Sequence, residues 1–158
     1  MTAFAIARAG EADLPDLLVL MRAYCAFYEQ TAGIAQASDE ELDALARLVL
    51  SDPEHEGVQL LARRTNDGVG IGFATVYWMR STLSASRIGV MNDLFVAEDA
   101  RGAGVAEALI EASRDAARAN GATKLEWQTA PDNLRAQAVY ERVGGVRSQW
   151  LDYSLEVT

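Results

Sequence analysis

The chain has 158 residues, half of them hydrophobic, and a formal net charge of −9. This length suits one domain with a substantial core. The sequence shows neither an apolar run of membrane-spanning length nor a secretory leader, and its one cysteine excludes an intrachain disulfide and a cysteine metal cluster. We therefore expect a single domain over residues 1–158, soluble and cytoplasmic, with no metal and no membrane partner.

Hydrophobic periodicity predicts secondary-structure elements in the order βααβββαβαβ. The predicted strands are 4–8, 58–63, 70–80, 88–96, 124–129 and 150–157. The predicted helices are 11–30, a second helix capped by Ser38 and ending before Pro53, 105–120 and 133–143. No repeat, low-complexity tract or linker interrupts this order.

Local signals mark several of the boundaries between these elements. Ser38 and Glu41 have the spacing of a capping box. The sequence 66–68, Asn-Asp-Gly, is a strong hairpin signal. Gly121 is well suited to end the third helix, because glycine adopts the left-handed conformation at little cost.

A glycine-containing loop joins the predicted strand 88–96 to the third helix. Glycine lacks a Cβ, so the backbone can approach a ligand closely. The amides of the first helical turn have no intrahelical partner, and the helix dipole adds partial positive charge there. A pyrophosphate is the expected occupant. The predicted anion site comprises Arg101, Gly102, Ala103, Gly104, Val105 and Ala106.

Three kinds of phosphate loop compete for this segment. A P-loop ends in Gly-Lys-Ser/Thr, which 104–106, Gly-Val-Ala, does not supply. A dinucleotide-binding loop needs a third small residue and an acidic residue at the end of the next strand, where Gln128 and Thr129 stand instead. The third pattern, Arg/Gln-x-x-Gly-x-Gly/Ala, is matched by Arg101, Gly104 and Ala106.

A second motif decides between these patterns. Asn133, Ala136, Tyr140 and Gly144 follow the spacing Asn-x-x-Ala-x-x-x-Tyr-x-x-x-Gly. With the glycine loop before it, the chain resembles the GCN5-related N-acetyltransferases (GNAT) over nearly its whole length. The strand 91–96 is most similar to the diamine and polyamine acetyltransferases of that superfamily. The resemblance implies an α/β fold, in which four helices flank a mixed, twisted sheet of about six to seven strands.

The resemblance also implies acetyl-CoA as co-substrate and assigns further residues. In the family, backbone groups of the strand before the glycine loop hold the pantetheine arm and the thioester carbonyl. The corresponding residues here are Leu94, Phe95 and Val96. Asn133 either contacts the pantetheine arm or caps the last helix. Tyr140 is the expected general acid, because a phenol and a thiol have similar pKa values and proton transfer to the thiolate is easy.

The residues that would receive the amine are less clearly marked. Related polyamine enzymes carry a glutamate at the position of Asn92, which cannot take a proton. Asp93 is the catalytic carboxylate that remains, although strand alternation places it on the opposite face from Asn92. Phe27 and Glu29 lie late in the first helix, off its apolar stripe, where the family places acceptor-binding residues. We assign Asn92, Phe27 and Glu29 to the substrate site.

The charge of the chain is unevenly distributed. Residues 1–56 contain eleven acidic and three basic residues, whereas the remainder is nearly balanced. This favours a small cationic primary amine as the acceptor, although a solvated acidic face explains it equally well. No basic stripe suggests nucleic acid. We expect an N-acetyltransferase that forms a homodimer. The alternatives are a non-catalytic acetyl-CoA-binding module and a protein N-acetyltransferase.

Overall fold

Residues 3–157 are described in a computed structural model of the chain. Five strands form one sheet in the order β1-β2-β3-β4-β5, in which the first four are antiparallel and β5 runs parallel to β4. The sheet is therefore mixed, as predicted. The strands are β1 Phe4–Arg8, β2 Gly57–Arg64, β3 Gly70–Ser81, β4 Ser86–Val96 and β5 Ala122–Glu126.

Residues 3–157 form four helices, which is the predicted number. They are α1 Leu14–Ala32, α2 Asp39–Ser51, α3 Val105–Ala119 and α4 Leu134–Arg142. A short 3-10 turn, Glu11–Asp13, precedes α1. The predicted capping box is present at α2, where the Ser38 hydroxyl accepts from the Glu41 amide and the Glu41 carboxylate accepts from the Ser38 amide.

The two faces of the sheet are covered by different helices. Leu17 of α1 and Ala46 of α2 are fully buried in a cluster that includes Leu61 and Phe73 of the sheet. The α3 helix covers the other face, where a side chain on Gly72 would meet Leu109 of α3 at 3.3 Å. The core thus fixes β4 and the start of α3 side by side, which positions the loop between them.

Internal contacts divide the chain into two compact units, one ending at Gln128 and one beginning at Thr129. The single-domain organisation remains a prediction. The second unit contains α4, and residues 143–157 form neither helix nor strand. The predicted strand 150–157 is therefore absent, and the sheet has five strands rather than six or seven. Apolar and polar residues do alternate over 150–157, but a strand also needs a partner strand for its backbone hydrogen bonds.

The length and hydropathy of the helices bear on membrane insertion. Within residues 3–157, no helix is both long enough and apolar enough to cross a bilayer.

Candidate active site

The glycine loop has the geometry that its sequence predicts. Gly102 and Gly104 have φ values of +82° and +81°, in the left-handed region that glycine adopts readily. Gly104 is the N-cap of α3. A Cβ built on either glycine would find no atom within 4 Å, so the space above the loop is open. The first amides of α3 therefore lie beneath room for a phosphate group.

Arg101 connects this loop to the end of β4. Its Nε donates to the carbonyl oxygen of Val96 at 3.1 Å, and the residue is exposed. The bond holds the guanidinium beside the loop rather than extended into solvent. A fixed cation near the first turn of α3 strengthens the field that attracts an anion.

The parallel pairing of β4 with β5 covers only the first part of β4. The register runs from Arg87 opposite Ala122 to Val90 opposite Glu126, where β5 ends. In the described chain, the remaining residues 91–96 pair with β3 alone. On the edge of β4 that faces away from β3, the backbone N–H and C=O groups of this part are therefore available to a ligand. This edge leads directly to the glycine loop, so a long ligand could bind along it and reach the loop.

A β-bulge lies at the point where β5 stops. Val76 of β3 pairs with Met91, whereas its neighbour Thr75 pairs with Asp93, so Asn92 is the extra residue. Directly paired residues share a face of the sheet. Met91 and Asp93 consequently lie on opposite faces, whereas regular alternation would place them together. The bulge turns Asp93 toward the face that packs on α1.

The side chains of Asn92 and Asp93 meet, although strand alternation predicted opposite faces for them. The Asn92 amide donates to the Asp93 carboxylate at 3.0 Å. The Tyr24 hydroxyl donates to the backbone carbonyl of Asn92 at 3.5 Å, and the hydroxyls of Thr75 and Tyr24 lie near the same carboxylate and favour its charged form. Despite these donors, burial raises the pKa of Asp93 above its usual range. A carboxylate with a raised pKa beside an open strand edge is a better proton acceptor than an ordinary exposed carboxylate.

The contacts of Asp93 continue into the core. Gln59 of β2 is buried and donates through Nε2 to the Thr75 hydroxyl at 3.4 Å. The other polar atom of this amide, Oε1, is buried and has no hydrogen-bond partner among residues 3–157. Gln59, Thr75 and Asp93 thus form a polar chain through an otherwise apolar layer. Such a chain fixes the orientation of its last member, the carboxylate.

An aromatic cluster packs on Tyr24, whose hydroxyl lies near this carboxylate. The Tyr24 ring packs edge-on against Tyr28 at 4.9 Å, Phe73 at 5.8 Å and Phe95 at 6.3 Å between centroids. Burial, with the negative charge of Asp93, raises the pKa of Tyr24 and holds it neutral. Burial also raises the pKa of Tyr77 to about 12, again with Asp93 contributing. Thr75 and Tyr77 were not singled out from the sequence, because only strand register brings them to Asp93, whereas Tyr24 lies on the apolar stripe of the first helix, where packing on the sheet explains it at least as well as acceptor binding.

The two substrate-site residues predicted on α1 lie close to this aromatic group. Phe27 is half-buried and packs edge-on against Tyr28 at 5.3 Å. Glu29 is exposed, and its carboxylate accepts from the Gln36 amide at 2.5 Å. Helix α1 ends a few residues later at Gly33, whose φ is +66°. The two residues therefore lie in the last two turns of the helix that carries Tyr24.

Many acids of the acidic segment 1–56 have basic partners. Arg63 pairs with Asp13 at 2.7 Å and with Asp16 at 2.5 Å. Arg22 pairs with Asp39 at 2.5 Å. Arg63 lies outside the acidic segment, so its pairs with Asp13 and Asp16 bring additional positive charge to that segment and reduce its negative potential. The remaining exposed acids, including Glu29, carry the field that an approaching cation would meet.

The second unit carries the other predicted site residues. The Asn133 side chain accepts from the Ala136 amide at 3.2 Å and caps α4. The capping role predicted for it is therefore present, and its binding role remains a prediction. Tyr140 lies in the last turn of α4 and is half-buried.

The residues 3–157 contain no group of three or more His, Cys, Asp or Glu side chains arranged to hold a metal ion.

The first unit thus combines a mixed sheet, a bulge in β4, an edge of β4 left open where β5 ends, and a glycine loop that opens α3. The model of the acetyltransferase (GNAT) family matches residues 18–145. The chain belongs to this family, and it is an acetyltransferase enzyme.

Individual relatives agree with this placement. An uncharacterized N-acetyltransferase, YhfO, of Bacillus subtilis is 36% identical over 139 residues, which are 88% of this chain and 87% of the relative. The crystal structure of a probable acetyltransferase has a TM-score of 0.84 at 30% identity and covers 98% of both chains. An aminoglycoside N-acetyltransferase in complex with CoA has a TM-score of 0.82 at 20% identity, covering 99% of this chain and 96% of its own.

Proposed function

We propose that this protein transfers the acetyl group of acetyl-CoA to a small cationic primary amine, by direct transfer within a ternary complex. The observation that carries the proposal is the open glycine loop at the start of α3, beside the unpaired edge of β4. The CoA complex of the similar aminoglycoside enzyme supports the choice of co-substrate. Acetyl-CoA supplies the acetyl group as an activated thioester.

The residues of the loop suit the pyrophosphate of this co-substrate. Gly102 and Gly104 leave the necessary space, and Arg101 adds a fixed cation. Backbone groups of 94–96 lie on the part of β4 beyond its pairing with β5, and they would hold the pantetheine arm and the thioester carbonyl. A backbone donor aimed at that carbonyl stabilises the negative charge that develops on its oxygen.

Two side chains are assigned to proton transfer. Asp93 takes a proton from the acceptor ammonium, directly or through water, so that a neutral amine attacks the thioester. Its raised pKa suits this role, because a strongly acidic carboxyl would hold a proton too weakly. Tyr140 gives a proton to the departing thiolate. Glu29, Phe27 and Asn92 form the acceptor side of the site.

The test is release of free CoA thiol with a panel of amines. The panel contains diamines, amino acids, an aminoglycoside, and peptides with a free N-terminus or lysine. Efficient release with a small cationic amine supports the proposal. Preference for the peptides would identify a protein N-acetyltransferase. Binding of acetyl-CoA without release for any acceptor would identify a non-catalytic module.

We expect the acceptor reaction to depend on salt. Attraction of a cation by exposed acids weakens as screening grows, and the screening length is about 8 Å at about 0.15 M. The kcat/KM for the best amine should therefore fall as ionic strength rises, with KM carrying most of the change. Glu29→Lys should raise KM for a cationic amine more than for a neutral one.

The matched control for this charge reversal is Glu40→Lys, an equal change at an exposed acid in the first turn of α2. It should leave the difference between cationic and neutral amines nearly unchanged. If the best acceptor is neutral or anionic and its kinetics are independent of salt, the acidic segment is only a solvated surface.

A second expected result concerns Asp93→Asn. Asparagine cannot take a proton, so kcat/KM should fall at least about tenfold, within the range for a lost general base. Because folding raises the pKa of Asp93, ionisation of Asp93 costs stability as the pH rises from about 4 through the folded-state value. The asparagine variant escapes that loss. Thermal melts should therefore show it gaining stability relative to the parent as pH rises to neutral.

The control is Asp115→Asn, at an exposed aspartate of α3 paired with Arg118. It should alter neither the rate nor the pH dependence of melting. Full activity of Asp93→Asn would remove Asp93 from the chemistry, whatever its effect on stability.

A further inference from the structure

Gln59 carries a side-chain amide in the interior of the protein, and one end of that amide is unsatisfied. The residue lies in β2 and is buried. Its Nε2 donates to the Thr75 hydroxyl at 3.4 Å and lies 3.8 Å from the Met21 sulfur. Its Oε1 is buried and has no hydrogen-bond partner among residues 3–157. A buried polar atom of this kind costs free energy, so a functional reason for it is worth seeking.

The unsatisfied oxygen leaves the orientation of the amide open. A backbone N–H group bonded to Oε1 would lock the amide, because the reversed orientation would bring two donors together. The oxygen and nitrogen of an amide are nearly alike in size, so the reversed amide fits the same space. Reversal gives up only the weak contact of Nε2 with Met21 and brings Oε1 to the Thr75 hydroxyl. Gln59 can therefore either donate to Thr75 or accept from it.

Thr75 connects this choice to Asp93. It is buried, and it lies directly opposite Asp93 in the pairing of β3 with β4. Its hydroxyl has one hydrogen to donate and can accept at the same time. When the hydroxyl donates to a charged carboxylate, it can accept from Gln59. When it accepts from a protonated carboxyl, its own hydrogen needs an acceptor, which the reversed Gln59 amide supplies.

Neutral groups determine which form of Asp93 is favoured. The side chains that favour its charged form are two hydroxyls and an amide. The titratable groups that face it are Tyr24 and Cys25 from α1 and Tyr77 from β3, and burial together with the charge of Asp93 raises the pKa of each. Glu56 adds to the effect on Tyr77. All three groups are therefore neutral at pH 7, and the surroundings must accommodate both forms of Asp93 through hydrogen bonds.

We propose that Gln59 is a positioning residue for Asp93, whose amide reverses when Asp93 gains or loses its proton, so that Thr75 donates to the charged carboxylate and accepts from the neutral acid. The catalytic part of this proposal rests on the proposed function, in which Asp93 takes the proton from the acceptor ammonium. That proton stays on Asp93 until solvent removes it. Thr75 keeps its own hydrogen and changes only the atom to which it donates.

The test is an NMR titration of the Asp93 carboxyl in the full chain without ligands, which needs neither an acceptor nor turnover. Gln59→Met keeps the length of the side chain and removes the amide. The Thr75 hydrogen then has no acceptor beside the neutral acid, so the pKa of Asp93 should fall by about 1. An amide that only donates to Thr75 would favour the charged form, and its removal would raise that pKa or leave it unchanged. Either of these two results would overturn the proposal.

Thr75 supplies the matched controls. Thr75→Ser retains the hydroxyl and should leave the pKa of Asp93 nearly unchanged. Thr75→Val removes it, and the pKa should rise because the charged form loses a donor. In the Thr75→Val background, Gln59→Met should have no further effect, since Gln59 acts through Thr75. An effect of Gln59→Met that is equal in the two backgrounds would contradict the proposal.

The unmodified chain provides a readout that does not depend on a variant folding. Above the pKa of Asp93, nuclear Overhauser effects should connect the amide protons of Gln59 to the side chains of Met21 and Thr75. Below that pKa these effects should weaken, because Nε2 has turned away from both. Overhauser effects that stay constant through the titration would show an amide held in one orientation and would rule out the reversal.

Kinetics on an amine that turns over distinguish this proposal from the proposed function. The pH dependence of kcat/KM reports ionisations of the free enzyme, so in Gln59→Met its acidic limb should move to lower pH by the amount that NMR measures. If Asp93→Asn loses activity while Gln59→Met leaves the pKa of Asp93 unchanged, the proposed function stands and the role of Gln59 is wrong. If NMR shows the shift but the kinetic profile does not move, the reversal is real and Asp93 is not the base.

Discussion

Replacement of Tyr140 by phenylalanine is expected to lower kcat by roughly 10- to 10⁴-fold while acetyl-CoA still binds. The range is that of a positioned proton donor. The substitution removes one oxygen from a half-buried side chain near the end of α4 and retains the ring, so α4 should remain folded. Steady-state kinetics on the best amine of the panel, with calorimetric titration of CoA, measure the two quantities separately.

The matched control is Tyr153→Phe, which makes the same change at a tyrosine that is 92% exposed. It should retain full turnover. If Tyr140→Phe turned over at the rate of the unmodified enzyme, Tyr140 would be a packing residue. The thiolate would then leave without its help.

Replacement of Gly104 by valine is expected to weaken CoA binding by more than tenfold. Two effects combine, because Gly104 has a φ of +81° and lies where the backbone would approach the pyrophosphate. The left-handed region costs a residue with a Cβ roughly 1–2 kcal/mol, and a branched side chain more. The valine would also fill the open space above the loop. Calorimetry would measure the loss of affinity directly.

The chain offers a close control for this substitution at the other end of the same helix. Gly121 follows α3, has a φ of +78° and likewise has no atom within 4 Å of a built Cβ. Gly121→Val should therefore lower the melting temperature about as much as Gly104→Val, yet leave CoA affinity intact. Equal affinities in the two variants and the unmodified protein would show that the loop at Gly104 does not hold the co-substrate.

The parts of the fold predicted correctly from the sequence are those determined by short segments. The capping box of Ser38 and the two glycines of the loop depend on residues a few positions apart, and the structure confirms their geometry. The number of helices and the element order as far as α4 follow from local periodicity in the same way. The class of enzyme was predicted from the sequence because each of its two motifs lies within one short segment of the chain.

The missed features depend on pairing between distant segments. The bulge at Asn92 exists only in the register between β3 and β4, and no property of Asn92 itself predicts it. The donors around Asp93 follow from that register and include Thr75, which strand alternation alone would not have joined to it. The segment 150–157 was predicted as a strand because its apolar and polar residues alternate, but periodicity carries no information about the partner strand.

The bulge at Asn92 divides β4 into a first part that packs in the core and a second part that carries the candidate site. Before it, Met91 is buried on the face covered by α3. After it, Asp93 is turned to the face of α1 and stands at the candidate site. Deleting Asn92 would place Asp93 directly after Met91, and the two residues would keep their opposite faces and their partners Thr75 and Val76 in a regular ladder. Such a deletion would therefore remove the bulge and the Asn92 amide without turning Asp93 away from α1, so a loss of activity in a stable protein would assign a role to the bulge itself.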